Sequence, residues 1–399
     1  MLERRATLNL PGFAEGSVED ARRSFVQSQA ALPKDRGAKV ARIEDDIIAG
    51  VAARRYVPLT TRGPGVILYF HGGGWVFGTL DGFDPVCRQL AAASGLEVIS
   101  VDYRLAPEHP YPAPLDDGWA VLSELAKTGR PIVVAGDSAG GNIAAALTHR
   151  ARDRSGPTIA MQLLLYPVLS ADFDRPSYRL YGAGGHFISR ADMAWFWDHH
   201  VPAESRAEAE VAPLAAESFA RLPEAIIVLG QCDPLHDEGR AYAEALGQAG
   251  VRVRLRTHDG MAHGFATLID LLPAANVLKT LDDELDRLLD GWQQTLLDNL
   301  DDPIIQANFE LLKAAQRDLI KGFIASKALP DTVTPEFIAA VQEALSGLEK
   351  IVVTGDDIKK ALLTGGSPAM PDDLRKRFES FMNERCKGKD AGKLRFVIE

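Results

Sequence analysis

The stretch Pro131-Ile132-Val133-Val134-Ala135-Gly136-Asp137-Ser138-Ala139-Gly140-Gly141-Asn142-Ile143-Ala144 decides how the chain is read. Its first half is a short apolar run rich in β-branched residues, the pattern of a strand buried on both faces. From Asn142 the run Ile143-Ala144-Ala145-Ala146-Leu147 opens a helix. Between them, Gly136-x-Ser138-x-Gly140 has the spacing of a strand-to-helix turn so tight that its serine is held in a strained backbone conformation. Glycines flank that serine because Cβ atoms there would collide with the strand and the helix. The turn predicts that Ser138 projects from the end of a sheet, with a helix N-terminus and its free N–H groups behind it.

Working outward, Gly65-Val66-Ile67-Leu68-Tyr69-Phe70 predicts a strand that runs into His71-Gly72-Gly73-Gly74-Trp75. Three consecutive glycines strip the side chains from a short backbone segment. Its N–H groups can then approach a substrate oxygen, as an oxyanion hole requires, whereas the same run elsewhere is only a flexible turn. His71 is expected to brace this loop. A helix is predicted over about Phe83 to Gly95 and a buried strand over Glu97 to Tyr103. Arg104 to Pro114 holds four prolines and is expected to be neither helix nor central strand. A helix over about Leu115 to Thr128 leads back to the opening strand. Beyond it, Ala160 to Pro167 and Ala225 to Gly230 predict two more strands. This alternation implies an α/β fold with a mostly parallel central sheet and crossover helices. Val251 to Arg256 alternates with period two and is expected at an edge.

Residues 170–215 break the rhythm with Gly182, Gly184 and Gly185, then a helix over about Arg190 to His199 carrying Trp195, Phe196 and Trp197. This reads as a cap insertion over the carboxyl edge of the sheet, the aromatics mainly packing it. Residues 1–35 carry a helix over Ser17 to Ala30, too short for a domain and readable as a flap lying over another part of the chain. Ser17 is its N-cap, and Glu19 and Asp20 lie in its first turn.

Asp233 follows one predicted strand and His263 the next. Taken singly, the first could be a strand cap and the second a core histidine. In the order Ser138, Asp233, His263 they match a hydrolytic triad. A serine hydroxyl is a poor nucleophile at neutral pH, so an imidazole must take its proton. A buried carboxylate then holds the imidazole in one tautomer and stabilises the imidazolium. His258 and Asp237 compete for the base and acid roles.

With these motifs in place, residues from about 17 to 297 resemble the hormone-sensitive-lipase-like family (bacterial family IV) of α/β-hydrolase carboxylesterases. The matching residues are His71-Gly72-Gly73-Gly74, Tyr103-Arg104-Leu105-Ala106-Pro107-Glu108-His109-Pro110, Gly136-Asp137-Ser138-Ala139-Gly140-Gly141, Asp233-Pro234-Leu235 and His263-Gly264-Phe265. The resemblance implies Ser138 as nucleophile, His263 as base and Asp233 as orienting acid, with the N–H groups of Gly73, Gly74 and Ala139 forming the oxyanion hole. It favours His263 over His258. It implies an N-terminal cap segment over residues 1–35, an α/β-hydrolase catalytic domain over residues 36–297, short- to medium-chain acyl esters as small-molecule substrates, and no cofactor. Two departures stand out. The N-terminal cap is short, which implies a more open pocket. His236 stands where the family often has Arg, which touches a pairing with Asp237 but not the triad.

The net charge of −11 excludes a general nucleic-acid binder. The three cysteines, Cys87, Cys232 and Cys386, are far apart and in no metal-ligand spacing, so free thiols and a cytoplasmic location are expected. No leader is evident at the N-terminus, and no apolar run approaches the roughly 18 residues that span a bilayer. After an amphipathic helix expected over 274–297, residues 298–399 predict a mainly helical extension. Its helices are expected over 306–328, 335–348, 356–363 and 372–386, with a terminal strand over 394–398. With 15 basic and 17 acidic residues and no chemical motif, it is expected to serve assembly, as a homo-oligomer or with a protein partner. Two rival readings remain: a ligand-binding protein on a hydrolase scaffold, and a lyase or peptidase on the same fold. Retention of His263 weighs against the first; fold alone does not exclude the second.

Overall fold

Residue by residue, the computed structural model describes 12–33, 35–184, 187–268, 314–326, 349–353, 380–381 and 394–398. The chain divides into two compact units, Met1–Leu289 and Asp290–Glu399.

In the first unit, helix α1 (Val18–Ala30) starts where the sequence places it. The Ser17 hydroxyl accepts the Asp20 N–H, and the Asp20 carboxylate accepts the Ser17 N–H, a reciprocal capping box. Strands β1 (Arg42–Ile48) and β2 (Val51–Val57) form an antiparallel hairpin, turning on Ala49 and Gly50 with φ of 52° and 84°. β3 (Val66–Phe70), α2 (Leu80–Ser94), β4 (Glu97–Val101), α3 (Ala113–Ala126), β5 (Ile132–Asp137), α4 (Ala139–Asp153) and β6 (Met161–Leu165) then alternate. Every residue of β3, β5 and β6 is buried, which is why their sequences are continuous apolar runs instead of alternating ones.

Between β6 and the next strand lie α5 (Pro176–Tyr181) and α6 (Arg190–His200). β7 (Glu224–Cys232), α7 (His236–Gln248) and β8 (Val253–Ala262) complete the unit. The eight strands lie in the order β1-β2-β4-β3-β5-β6-β7-β8. From β4 through β8 neighbouring strands are parallel, and β2 joins β4 antiparallel. β8 sits at an edge, as its alternation implied.

β8 runs on to Ala262, well past the expected Arg256, and three helix starts differ from the sequence reading. α2 begins at Leu80 because the Thr79 hydroxyl accepts the Gly82 N–H and caps it. α3 begins at Ala113, inside the proline-rich segment expected to be non-helical. Pro114 lies in its first turn, where a missing N–H costs nothing. α4 begins at Ala139, directly after the serine, so the tight turn feeds the helix without a spacer.

In the second unit the described elements are α8 (Ala314–Ser326) and a parallel pair, β9 (Glu349–Val353) and β10 (Leu394–Ile398), in register Phe396 to Ile351. The terminal strand was expected. β9 was not, although Ile351-Val352-Val353 is β-branched. The helices expected over 274–297, 335–348 and 356–363 lie outside the described residues.

Candidate active site

Ser138 sits between β5 and α4 with φ 55° and ψ −120°. This left-handed conformation is strained for a non-glycine residue. Hydrogen bonds hold it there: its N–H donates to Leu165 O at 2.9 Å, and its carbonyl accepts from Asn142 N and Val168 N, each at 3.1 Å. The flanking glycines are obligatory. A Cβ on Gly136 would run into the Gly140 backbone, and one on Gly140 into the Phe70 carbonyl at the end of β3.

The three residues drawn from distant parts of the sequence meet in one chain of hydrogen bonds. Ser138 Oγ lies 2.9 Å from His263 Nε2, and His263 Nδ1 lies 2.9 Å from Asp233 Oδ2. A carboxylate facing Nδ1 requires the proton on that nitrogen, leaving the Nε2 lone pair to accept the serine O–H. Asp233 Oδ1 accepts the Leu235 N–H at 2.9 Å. All three side chains are buried. Asp233 directly follows a register shift between Gly230 and Cys232 at the end of β7, and His263 directly follows β8. Tyr166 presents its ring to the His263 imidazole at 4.8 Å between centroids, inclined by 63°. Neither competitor replaces these residues. Asp237 accepts the Ser177 N–H at 2.8 Å and lies 3.3 Å from its neighbour His236, so His236 supplies a partner despite replacing Arg. His258 packs on Phe265.

The glycine run after β3 lies beside Ser138. Gly73 and Gly74 have φ of 116° and 60°. A Cβ on Gly73 would strike the Phe77 carbonyl, and one on Gly74 the Phe196 ring. The Gly73 carbonyl accepts from Val76 N and Phe77 N, both at 3.1 Å, which folds the segment into a tight turn. Ala139 is the first residue of α4, where the N–H has no acceptor within the helix. His71 braces the loop: its ring stacks on Tyr103 at 4.4 Å, and its Nδ1 lies 2.8 Å from Gly72 O. Burial pushes its pKa down to about 4, so it is neutral near pH 7.

The sequence reading did not single out Asp137. Its buried Oδ1 accepts the Gly72 N–H at 2.8 Å and the Tyr69 hydroxyl at 2.6 Å. Asp137 thereby ties the glycine loop to the serine turn. Burial pushes its pKa up to about 6, against the pull of those two donors.

A cavity of about 390 Å³ opens on Ser138. Phe13, Phe25, Phe77, Phe83, Phe187 and Phe196 all line it. α1 therefore walls the pocket in spite of the short N-terminal segment. Phe196 faces the pocket, while Trp197 is buried against Trp75. No group of three or more His, Cys, Asp or Glu suited to a metal occurs among the described residues.

A mostly parallel sheet whose carboxyl edge carries a serine, a histidine and an aspartate in hydrogen-bonded succession defines an α/β-hydrolase. The comparisons with known proteins are specific. Residues 67–267 match the family described as alpha/beta hydrolase fold. The chain belongs to that family, in its hormone-sensitive-lipase-like branch. Esterase LipI of Mycobacterium tuberculosis is 40% identical over 281 residues, covering 65% of this chain and 86% of that protein. Ethyl acetate hydrolase of Pseudomonas putida is 35% identical over 240 residues, covering 58% and 73%. Among solved structures, ester-hydrolase EH1AB1 from the metagenome of Lake Arreo, complexed with a derivative of bipyridine phosphonate, is similar. It has a TM-score of 0.66 and 34% identity, over 73% of this chain and 96% of that one.

Proposed function

We propose that the chain is a serine carboxylesterase acting on short- to medium-chain acyl esters through Ser138, His263 and Asp233. The observation that carries this reading is the pair of 2.9 Å hydrogen bonds linking the three residues at the floor of an apolar pocket. The names of the relatives support ester hydrolysis as the reaction class.

In this reading Ser138 Oγ attacks the ester carbonyl carbon while its proton passes to His263 Nε2. The carbonyl oxygen becomes an oxyanion held by the N–H groups of Gly73, Gly74 and Ala139, donors fixed before the reaction starts. The carbon–alkoxide bond breaks, and the alcohol leaves with the proton from His263. Water then attacks the acyl-serine, giving a proton to His263. The tetrahedral intermediate collapses to the acid, and the proton returns to Ser138. Asp233 remains ionised throughout, holding the ring and stabilising its charged form.

The cytoplasm is part of the same proposal, supported by the free thiols of Cys87 and Cys232. No helix among the described residues is long and apolar enough to cross a membrane. Residues 298–399 are proposed as an assembly segment with no chemistry of their own.

The test is hydrolysis of p-nitrophenyl esters from acetyl to palmitoyl by wild type and Ser138→Ala. Turnover of short esters, lost in the variant, is expected. A folded wild type inert toward every ester would sink the proposal.

A further inference from the structure

α1 walls part of the apolar cavity at Ser138, and that wall is thin. Phe25 and Phe77 line this cavity. The same two residues line a second, more open groove of about 580 Å³, bordered by Arg22, Thr79, Asp102, Arg104 and Glu108. The two rings are stacked, 5.2 Å between centroids and 28° between planes. One layer of aromatic side chain therefore separates an apolar pocket from a groove rimmed with charge.

We propose that Phe25 is a specificity-determining residue, the partition that sets how long a substrate chain the pocket accepts. This rests on the esterase reading and deepens it. The ring is firmly seated. It also stacks on Phe83 at 6.0 Å and 17°. Gly82 leaves it room, since a Cβ there would press on the Phe25 ring. α1 itself is pinned one turn earlier by Arg22. Its Nε donates to Val76 O at 3.0 Å, and one terminal nitrogen donates to Glu108 Oε1 at 2.7 Å. The other donates to Ala106 O at 3.0 Å and to Glu108 Oε2 at 2.6 Å. Arg22 and Phe25 are spaced i, i+3 and share one face of α1, so the anchor and the partition move together. A chain directed at this wall meets the Phe25 ring. With the ring removed, it would run on into the groove.

The test uses the full chain with two substrate series, p-nitrophenyl esters of increasing acyl length and acetates of increasing alcohol length. Phe25→Ala is expected to raise kcat/KM for the longest esters relative to the shortest by about tenfold or more in one series. That is the yield of roughly two further buried methylenes. Phe25→Trp is expected to shift the ratio the other way, and Arg22→Met to shift it in the direction of Phe25→Ala but less. A role confined to packing would lower the melting temperature and depress all esters alike, leaving the ratio fixed. Unchanged ratios in both Phe25 variants, with turnover of the shortest ester retained, would overturn the partition. If Phe25→Ala fails to fold, Phe25→Trp and Arg22→Met decide by the same ratio. A folded wild type that turns over no ester at all defeats the esterase reading itself, a result readily told apart from an unshifted ratio.

Discussion

Asp137 shows how much one side chain does here. It neighbours Ser138 in sequence, yet its partners Tyr69 and Gly72 lie 68 and 65 residues upstream. Its pKa rises from the 3.8 of an ordinary aspartate to about 6 because burial penalises the carboxylate. A group with a raised native pKa stabilises the fold below its unfolded pKa and loses that contribution as pH rises. Between about pH 4 and 6 the wild type should therefore lose stability that Asp137→Asn does not. Urea midpoints across that window measure it: the difference between variant and wild type should move in favour of the variant as pH rises, and a constant difference would refute the account. If Asp233 orients His263 as proposed, Asp233→Asn should leave the fold intact but present the wrong imidazole tautomer, lowering kcat by about 10,000-fold, the loss this change brings in a serine protease. That Ser138, Asp233 and His263 would meet was legible because each follows a recognisable strand, in the order of a hydrolytic triad. Asp137 was not, because a carboxylate beside a serine says nothing about which distant amide it will meet.

At the scale of elements, the glycine turn and α6 depend on one another. Gly74 has φ 60° and its Cα faces the Phe196 ring. Gly74→Ala should displace that ring and the turn together, with kcat falling by roughly 100- to 1000-fold, the cost of one oxyanion donor. Full activity in Gly74→Ala would remove this turn from the proposed machinery. By contrast, Ser17→Ala removes only the cap of α1 and should cost about 1 kcal/mol in a denaturant titration, with little effect on short esters. The buried parallel strands were plain in the sequence because apolar β-branched runs have few other uses. Helix starts were less so. Four prolines obscured α3 because proline breaks a helix interior yet suits its first turn. That α1 belongs to a cap followed from the resemblance, but which of its side chains wall the pocket did not, since its aromatic partners belong to other segments.

For the molecule as a whole, the sheet order explains why the site forms where it does. The glycine loop leaves β3 and the serine leaves β5, which are neighbours; β6 lies next; β7 and β8 deliver Asp233 and His263. In the second unit, β9 was not evident because only Ile351, Val352 and Val353 are apolar, behind the charged pair Glu349-Lys350. A chain ending after Leu297 is expected to keep ester turnover and the melting transition of the catalytic unit; failure to fold would show that the extension belongs to it. The hydrogen bond between Ser138 and His263 closes a loop of 125 residues, and His263 follows the last strand of the sheet. Contacts so distant in the chain form slowly. Catalysis therefore doubles as a clock: during refolding from urea, ester turnover should return no earlier than helical signal, so regained activity marks a state in which β8 has already docked.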